Sequence, residues 1–235
     1  MNRQTLPANC AAHQPRVVII GGGFGGLYAA RAFAGAPVSV TLIDKRNYHL
    51  FRPLLYQVAT GLLSADEISG PLRSILSRQN NVDVLLGEVT SVDTEKRVVR
   101  LEQHDVPYDF LVLATGVQYN YFGHDDWSRI APSLVSLSDA DRIRAQVLLA
   151  FERAEELAAL ELAPTTSPQI QKLLTFVLVG AGTVGVEMAS TLAEMSRMAL
   201  ANDFHHIDAR SARILLYEAA PRVLPSYPAV LSAKA

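Results

Sequence analysis

One hexapeptide pattern occurs twice in this chain and constrains its fold more than any other feature. Gly21-Gly22-Gly23-Phe24-Gly25-Gly26 satisfies G-x-G-x-x-G at Gly21, Gly23 and Gly26, and Gly180-Ala181-Gly182-Thr183-Val184-Gly185 satisfies it at Gly180, Gly182 and Gly185. The spacing has a physical cause. The first glycine makes a tight turn, the second lets backbone approach a pyrophosphate, and the third lets a helix pack closely on a strand. Amide N–H groups and the positive end of the helix dipole then hold the phosphates. A lone match is weak, because glycine turns also serve packing alone. Here each match follows a buried-strand run, Arg16 to Ile20 and Leu173 to Val179. Each opens a helical segment, Leu27 to Ala34 and about Val186 to Leu200, and a second strand then ends in an acid.

The acids strengthen the signal. Asp44, after the strand Val38 to Ile43, stands close to the ~20 residues expected between a first glycine and a carboxylate that binds an adenosine ribose. Glu218, after the strand Ala212 to Tyr217, lies further from Gly180 and requires an insertion of about 15 residues in the second crossover, for which Asn202 to Arg213 is available. A carboxylate in this position hydrogen-bonds ribose hydroxyls and repels a 2′-phosphate, so Glu218 favours NADH over NADPH. Lys45 and Arg46, directly after Asp44, could accommodate a phosphate or only meet solvent.

The rest of the chain reads as strands alternating with helices, a parallel, doubly wound α/β sheet. Tyr108 to Ala114 is a further buried strand, closed by Thr115 and Gly116. Val82 to Val92 and Lys96 to Leu101 read as antiparallel strands joined at Asp93–Glu95, and Ser64 to Gln79 as a helix. Asp139 to Leu160 is the longest helical pattern, with Ser138 or Asp139 as its cap, and Pro164 to Pro168 reads as a linker. The division expected is a polar tail (1–15), a first dinucleotide-binding domain (16–125) and an incomplete second one (126–235).

Composition excludes several classes. Hydrophobic residues make up 49% and charged residues 19%, which rules out global disorder. Lys and Arg number 21 against 23 Asp and Glu, so nothing recommends a nucleic-acid partner. A single cysteine, Cys10, precludes an intrachain disulfide and fits a reducing compartment. The stretch Val17 to Ile43 is weakly charged, but Gly21 to Gly26 would break a spanning helix near its start. Neither a signal peptide nor a transmembrane segment is expected. His205, His206 and Asp208 read as a solvated loop rather than a metal site, as do His124, Asp125 and Asp126, and no metal is expected. Tyr48, His49 and Gln57 follow the first acid, where either a cofactor or packing would account for them.

Two dinucleotide sites on one chain suggest a flavoprotein reduced by a nicotinamide dinucleotide. The segments VVIIGGGFGGLYAA (Val17 to Ala30), LIDKRNYHLFRPLLYQVATG (Leu42 to Gly61), YDFLVLATG (Tyr108 to Gly116), YFGHDDW (Tyr121 to Trp127) and FVLVGAGTVGVE (Phe176 to Glu187) resemble the type II NADH:quinone oxidoreductases, the non-proton-pumping NADH dehydrogenases. DFHHIDARSARILLYEAAPRVLPSYP (Asp203 to Pro228) adds to that resemblance. It implies a Rossmann-like FAD-binding domain and the start of a Rossmann-like NADH-binding domain. FAD would lie on Gly21, Gly23, Phe24, Gly25 and Gly26, with Asp44 on the ribose, Lys45, Arg46 and Gln57 nearby, the Val89 backbone by the adenine, and Ala114, Thr115 and Gly116 by the flavin. NADH would lie on Gly180, Gly182, Thr183, Val184, Gly185 and Glu218. A glutamate in the position of Glu187 sits where the nicotinamide and flavin rings meet; by its placement alone Glu187 is a first-turn carboxylate stabilised by the helix dipole.

The same resemblance implies a quinone acceptor and a respiratory-chain role at the inner, cytoplasmic face of a membrane, reached through C-terminal amphipathic helices, and it leaves a homodimer open. The lipoamide, glutathione and sulfide:quinone reductases need cysteines beside the flavin, which one cysteine before the first strand does not provide. Carrying the interval from Gly21 to Gly116 over to Gly180 places the end of the second fold near residue 275 or, with the insertion, about 290, beyond Ala235. The expectation is an N-terminal portion of such an enzyme. The alternatives are an inactive fragment and a different flavin-dependent pyridine-nucleotide oxidoreductase of the ferredoxin-reductase kind.

Overall fold

The computed structural model describes residues 14–235, so Cys10 and most of the polar tail lie outside the described residues. In chain order the first elements are β1 (Arg16–Ile20), α1 (Phe24–Ala32), β2 (Ser39–Asp44) and β3 (Tyr48–Leu50). Two short helices, α2 (Leu55–Ala59) and α3 (Ala65–Ile68), precede β4 (Ser69–Pro71) and α4 (Leu72–Ile75). Five strands follow: β5 (Val82–Leu86), β6 (Val89–Asp93), β7 (Val98–Leu101), β8 (Asp105–Pro107) and β9 (Phe110–Leu113). The remainder is α5 (Leu137–Ala159), α6 (Pro168–Leu173), β10 (Thr175–Val179), α7 (Thr183–Glu194), β11 (Arg213–Tyr217) and α8 (Ala229–Ser232).

These elements form two compact units: the described residues through Leu50 with Ser69–Val117, and Phe51–Ile68 with Gln118–Ala235. The units cut the chain differently from the contiguous division expected above, because the excursion Phe51–Ile68 groups with the later residues.

The first unit is built on a parallel sheet ordered β5-β2-β1-β9, in which Val17 to Ile20 of β1 pair with Val40 to Ile43 on one side and with Phe110 to Leu113 on the other. Counting only these strands, the order is third, second, first, fourth, the nucleotide-binding half of a doubly wound sheet. Strand alternation sends Val17 and Ile19 to one face, with Leu27, Ala30 and Leu72, and Val18 and Ile20 to the other, with Ile43, Val99 and Tyr108. Both faces are covered, which is why Val17 to Ile20 of β1 are apolar throughout rather than alternating. An antiparallel sheet, β6-β7-β8, packs on the second face through Val99, with Val89, Val92, Leu101 and Val106 around it.

Two expectations fail here for identifiable reasons. Val82 to Val92 is two strands: Gly87 donates its N–H to the Asp44 carbonyl (2.9 Å), so β5 joins the parallel sheet and only β6 turns back antiparallel onto β7. Ser64 to Gln79 is not one helix. Ser69, Gly70 and Pro71 pair with Leu50, His49 and Tyr48, and the proline restricts the residue before it to extended backbone.

In the second unit β10 and β11 pair in parallel from Thr175–Arg213 to Val179–Tyr217. The long helix α5 starts two residues before expected, because Ser136 is its cap: its hydroxyl accepts from the Asp139 N–H (3.2 Å) and the Asp139 carboxylate accepts from the Ser136 N–H (2.9 Å). Its buried face carries Ala140, Val147, Phe151 and Ala154, with Phe151 between Phe176 of β10 and Phe204 of the crossover loop (ring centroids 5.5 and 5.8 Å). The expected linker ends in a helix cap, the Ser167 hydroxyl accepting from the Ile170 N–H that opens α6. Both glycine-turn helices begin three residues earlier than their apolar patterns, at Phe24 and Thr183.

Candidate functional site

The two glycine turns are alike almost atom for atom. Gly21 and Gly180 take φ of +105° and +96°, a region open to glycine at no steric cost. The Gly21 N–H donates to the Ile43 carbonyl (2.8 Å) and the Gly180 N–H to the Tyr217 carbonyl (2.7 Å), so each turn is tied to the residue just before its acid. A Cβ on Gly26 would run into the carbonyl oxygen of Gly21, and one on Gly185 into that of Gly180. The third glycine is therefore demanded by helix-on-strand packing. The middle glycine is not. Gly23 and Gly182 have φ of −70° in both turns, which any residue adopts, and a Cβ on either would meet no protein atom within 4 Å. Such space suits close approach of a ligand to backbone. Each helix is also capped by that glycine, which brings no side-chain acceptor to the first-turn N–H groups.

The acids close both units in the same way. One Asp44 oxygen accepts from the Gly22 N–H (2.5 Å) and the other from the Arg46 N–H (2.6 Å). One Glu218 oxygen accepts from the Ala181 N–H (2.6 Å) and the other from the Ala220 N–H (2.8 Å). Those amides, Ala220 foremost and then Ala181, hold the Glu218 carboxyl below the usual range, so it is an anion fixed beside its turn at neutral pH.

The remaining expected residues are placed as follows. Ala114, whose N–H donates to the Ile20 carbonyl (2.8 Å), lies against Gly21 and 3.6 Å from where a Gly25 Cβ would stand. Thr115 and Gly116 follow it, so the first turn and the end of β9 meet between β1 and β9, where the strand order reverses and α/β sheets bind ligands. Lys45 reaches Glu88 (3.7 Å) across an exposed surface, and Val89 begins β6 directly after. Gln57 sits on α2 in the second unit, donating to the Tyr56 hydroxyl (3.0 Å). Val184 is exposed beside Thr183 in the first turn of α7, and Glu187 is one turn further on, its carboxyl pushed up by burial.

Sequence reasoning missed the contacts that brace each turn from beyond its acid. His49 Nδ1 lies 3.0 Å from the Gly22 carbonyl oxygen, and its ring meets Phe24 edge-on at 4.9 Å. In the second unit the Leu224 N–H donates to the corresponding Ala181 carbonyl (2.7 Å), and the Tyr227 hydroxyl lies 3.5 Å from Thr183 Oγ1. The offset of these residues from each acid was the available signal, and no periodicity carries it. His206 Nδ1 and the N–H groups of His205, His206 and Ile207 all converge on the Glu155 carboxylate. No group of three or more potential metal ligands occurs among the described residues. No helix among them is long and apolar enough to cross a membrane.

Comparison with known proteins gives this geometry a family. The model of the pyridine nucleotide-disulphide oxidoreductases matches residues 15–235. The chain belongs to that family. It is 44% identical over its whole length to the type II NADH:quinone oxidoreductase Ndh of Mycobacterium tuberculosis, of which it covers 50%. It is 46% identical over 94% of its length to NdhA of the same organism, of which it covers 46%. The structure of NDH2 from Plasmodium falciparum in complex with NADH superposes with a TM-score of 0.81 at 25% identity, over 94% of this chain and 45% of that one. The chain thus spans about half the length of the curated relatives it matches.

Proposed function

We propose that this chain is the dinucleotide-binding half of a type II NADH:quinone oxidoreductase, with FAD in the first fold and NADH in the second. The observation that carries the reading is the repetition of one turn-and-acid geometry in both units, each leaving open space over its middle glycine. The identities to Ndh and NdhA support the assignment of the pair.

The chemistry supplied by bound FAD would be acceptance of a hydride from NADH and release of electrons to a quinone. In the first fold (16–125), Gly21, Gly23, Phe24, Gly25 and Gly26 would hold the pyrophosphate and Asp44 the ribose, with Lys45, Arg46, Gln57 and the Val89 backbone adjoining and Ala114, Thr115 and Gly116 beside the flavin. In the second (126–235), Gly180, Gly182, Thr183, Val184 and Gly185 would hold the NADH pyrophosphate. Glu218 would accept from its ribose while repelling a 2′-phosphate. Glu187 would stand where the two rings meet, keeping its proton to higher pH than an exposed glutamate. The names of the relatives support quinone as acceptor, and the membrane's cytoplasmic face is the proposed place of work.

Purification of the chain and its visible spectrum test this reading. A yellow protein bleached by NADH and recovered by quinone is the expected result. A colourless protein that takes up no FAD would favour the inactive-fragment reading. Bleaching without recovery by quinone would favour a ferredoxin-reductase-like acceptor.

A further inference from the structure

We infer that Tyr227 is a phosphate-binding residue of the second dinucleotide site, its hydroxyl closing with that of Thr183 on one pyrophosphate oxygen of the nicotinamide dinucleotide. This rests on the reading of the second fold given above and adds a residue outside the glycine fingerprint.

Three observations place it. Thr183 is the first residue of α7, at the positive end of the helix and next to the open space over Gly182. The chain after Glu218 returns to that point: Leu224 donates its N–H to the Ala181 carbonyl (2.7 Å), and the Tyr227 N–H donates to the Leu224 carbonyl (2.9 Å). The return is held in a conformation that L residues rarely adopt, because Leu224 has φ of +48°. A left-handed non-glycine residue persists only where its surroundings fix it, and such positions cluster at ligand sites.

The decisive distance is between the hydroxyls. Tyr227 Oη and Thr183 Oγ1 stand 3.5 Å apart, longer than the 2.7–2.8 Å of a good O–H···O bond, so the pair leaves hydrogen-bonding capacity in both groups. An anionic oxygen bridging them would receive two donors where the helix dipole already favours negative charge. Tyr227 is 41% exposed, which leaves its ring edge reachable from solvent. In the first fold the residue after the middle glycine is Phe24, edge-on to His49, and brings no hydroxyl, so the clamp distinguishes the second site from the first.

Calorimetric titration of the chain, with FAD in excess to occupy the first site, tests this without turnover. The probes are ADP-ribose, which carries the pyrophosphate, and adenosine, which does not. Tyr227→Phe keeps the ring and is expected to weaken ADP-ribose about tenfold while leaving adenosine within twofold. Thr183→Ala should do the same, and the double variant should lose less than the product of the two, because one oxygen is shared. Glu218→Ala, which removes the ribose contact, should weaken both probes. If Tyr227→Phe binds ADP-ribose as the parent does while Glu218→Ala weakens both, Tyr227 has no phosphate role and the second-site reading stands. If the parent binds neither probe, or Glu218→Ala changes nothing, the second-site reading falls and takes the clamp with it.

Discussion

The two dinucleotide folds share a turn but not the structure around it. In the first, β1 is buried on both faces within four parallel strands, and Val17 to Ile20 are each at most 7% exposed. In the second, β10 pairs among the described residues with β11 alone, and Val177 is 55% and Val179 75% exposed. Yet the first-glycine dihedrals, the amide-to-acid bonds and the glycine-on-glycine packing agree between them. The turn is therefore a product of its first and third glycines and one carboxylate, alike in both units whatever strands flank it. What differs is how each fold braces its crossover. The segment between α1 and β2 is held by amide donors: Asn81 Nδ2 donates to the carbonyls of Phe33, Ala36 and Val38, and Gln79 Nε2 to that of Ala30. The segment between α7 and β11 is held by an acceptor, the Glu155 carboxylate. One brace is neutral, the other titrates.

The largest expected effect breaks the likeness of the turns. Gly26→Ala forces a methyl group into the Gly21 carbonyl inside a closed core and should cost about 3 kcal/mol, at the upper end of overpacking penalties. Gly185→Ala meets the same clash, but the two-stranded sheet can yield, so about 1 kcal/mol is expected. Urea unfolding of both variants measures the difference, and equal losses would mean that the surrounding sheet does not stiffen the turn.

Glu155→Gln comes next, at about 2 kcal/mol, because one amide oxygen cannot replace a carboxylate that accepts three backbone N–H groups and the His206 ring. Burial works to raise the Glu155 carboxyl, but the His206 ring and then the amides of His205, His206 and Ile207 outweigh it and hold it below the usual range. A carboxyl depressed in the folded state contributes stability above its unfolded pKa, about 4.3, and loses it as pH falls through the folded value. The parent should therefore weaken below about pH 4.3 with a slope that Glu155→Gln lacks, whereas Asn81→Ala should shift the whole curve down without changing that slope.

The His49 brace ranks third. His49→Ala orphans the Gly22 carbonyl and removes the edge contact with Phe24, for about 1 kcal/mol. Leu224→Ala leaves the N–H that performs the same task and should cost about 0.5 kcal/mol or less. Similar losses in thermal unfolding would show that the bond to the turn carbonyl contributes little in either fold.

The sequence made the turns, the acids and the parallel strands legible because each follows a short-range rule. Buried parallel strands read as unbroken apolar runs, and the third glycine of each turn is set by a contact within six residues. Most of its failures are long-range. Ser69 to Pro71 looks helical until Tyr48 to Leu50 arrive to pair with it, and Gly87 ends a strand only because Asp44 is there to receive its N–H. The cap of α5 is the local exception: Ser138 and Asp139 are both capping residue types, yet Ser136 is the cap and Asp139 its reciprocal partner. His49, Leu224 and Tyr227 lie in segments that the resemblance covers, but nothing there shows their contacts with the turns; Glu155 carries no motif, and nothing but folding brings it to residues 50 to 52 positions away.

The smallest expected effect concerns Glu187, and its sign is opposite to the others. Burial raises its carboxyl, so the folded pKa lies above the unfolded one. A group raised in this way leaves stability intact below the unfolded pKa, and stability is lost as pH rises through the folded value, because the charged form must then be accommodated away from water. Glu187→Gln removes that ionisation. At neutral pH the variant should match the parent or exceed it by a few tenths of a kcal/mol, since the site remains partly open to solvent and screening limits the penalty. Thermal unfolding at pH 4 and pH 8 measures it: the advantage of the variant should appear at pH 8 and vanish at pH 4. Glu218→Gln should do the reverse, because the amides of Ala220 and Ala181 stabilise its anion. Two glutamates of one fold, one at the strand end and one in the helix, would then respond to pH with opposite signs. Loss of stability at pH 8 in Glu187→Gln would instead mean that the anion of Glu187 is held by a partner, and its placement as a proton-retaining group would fall.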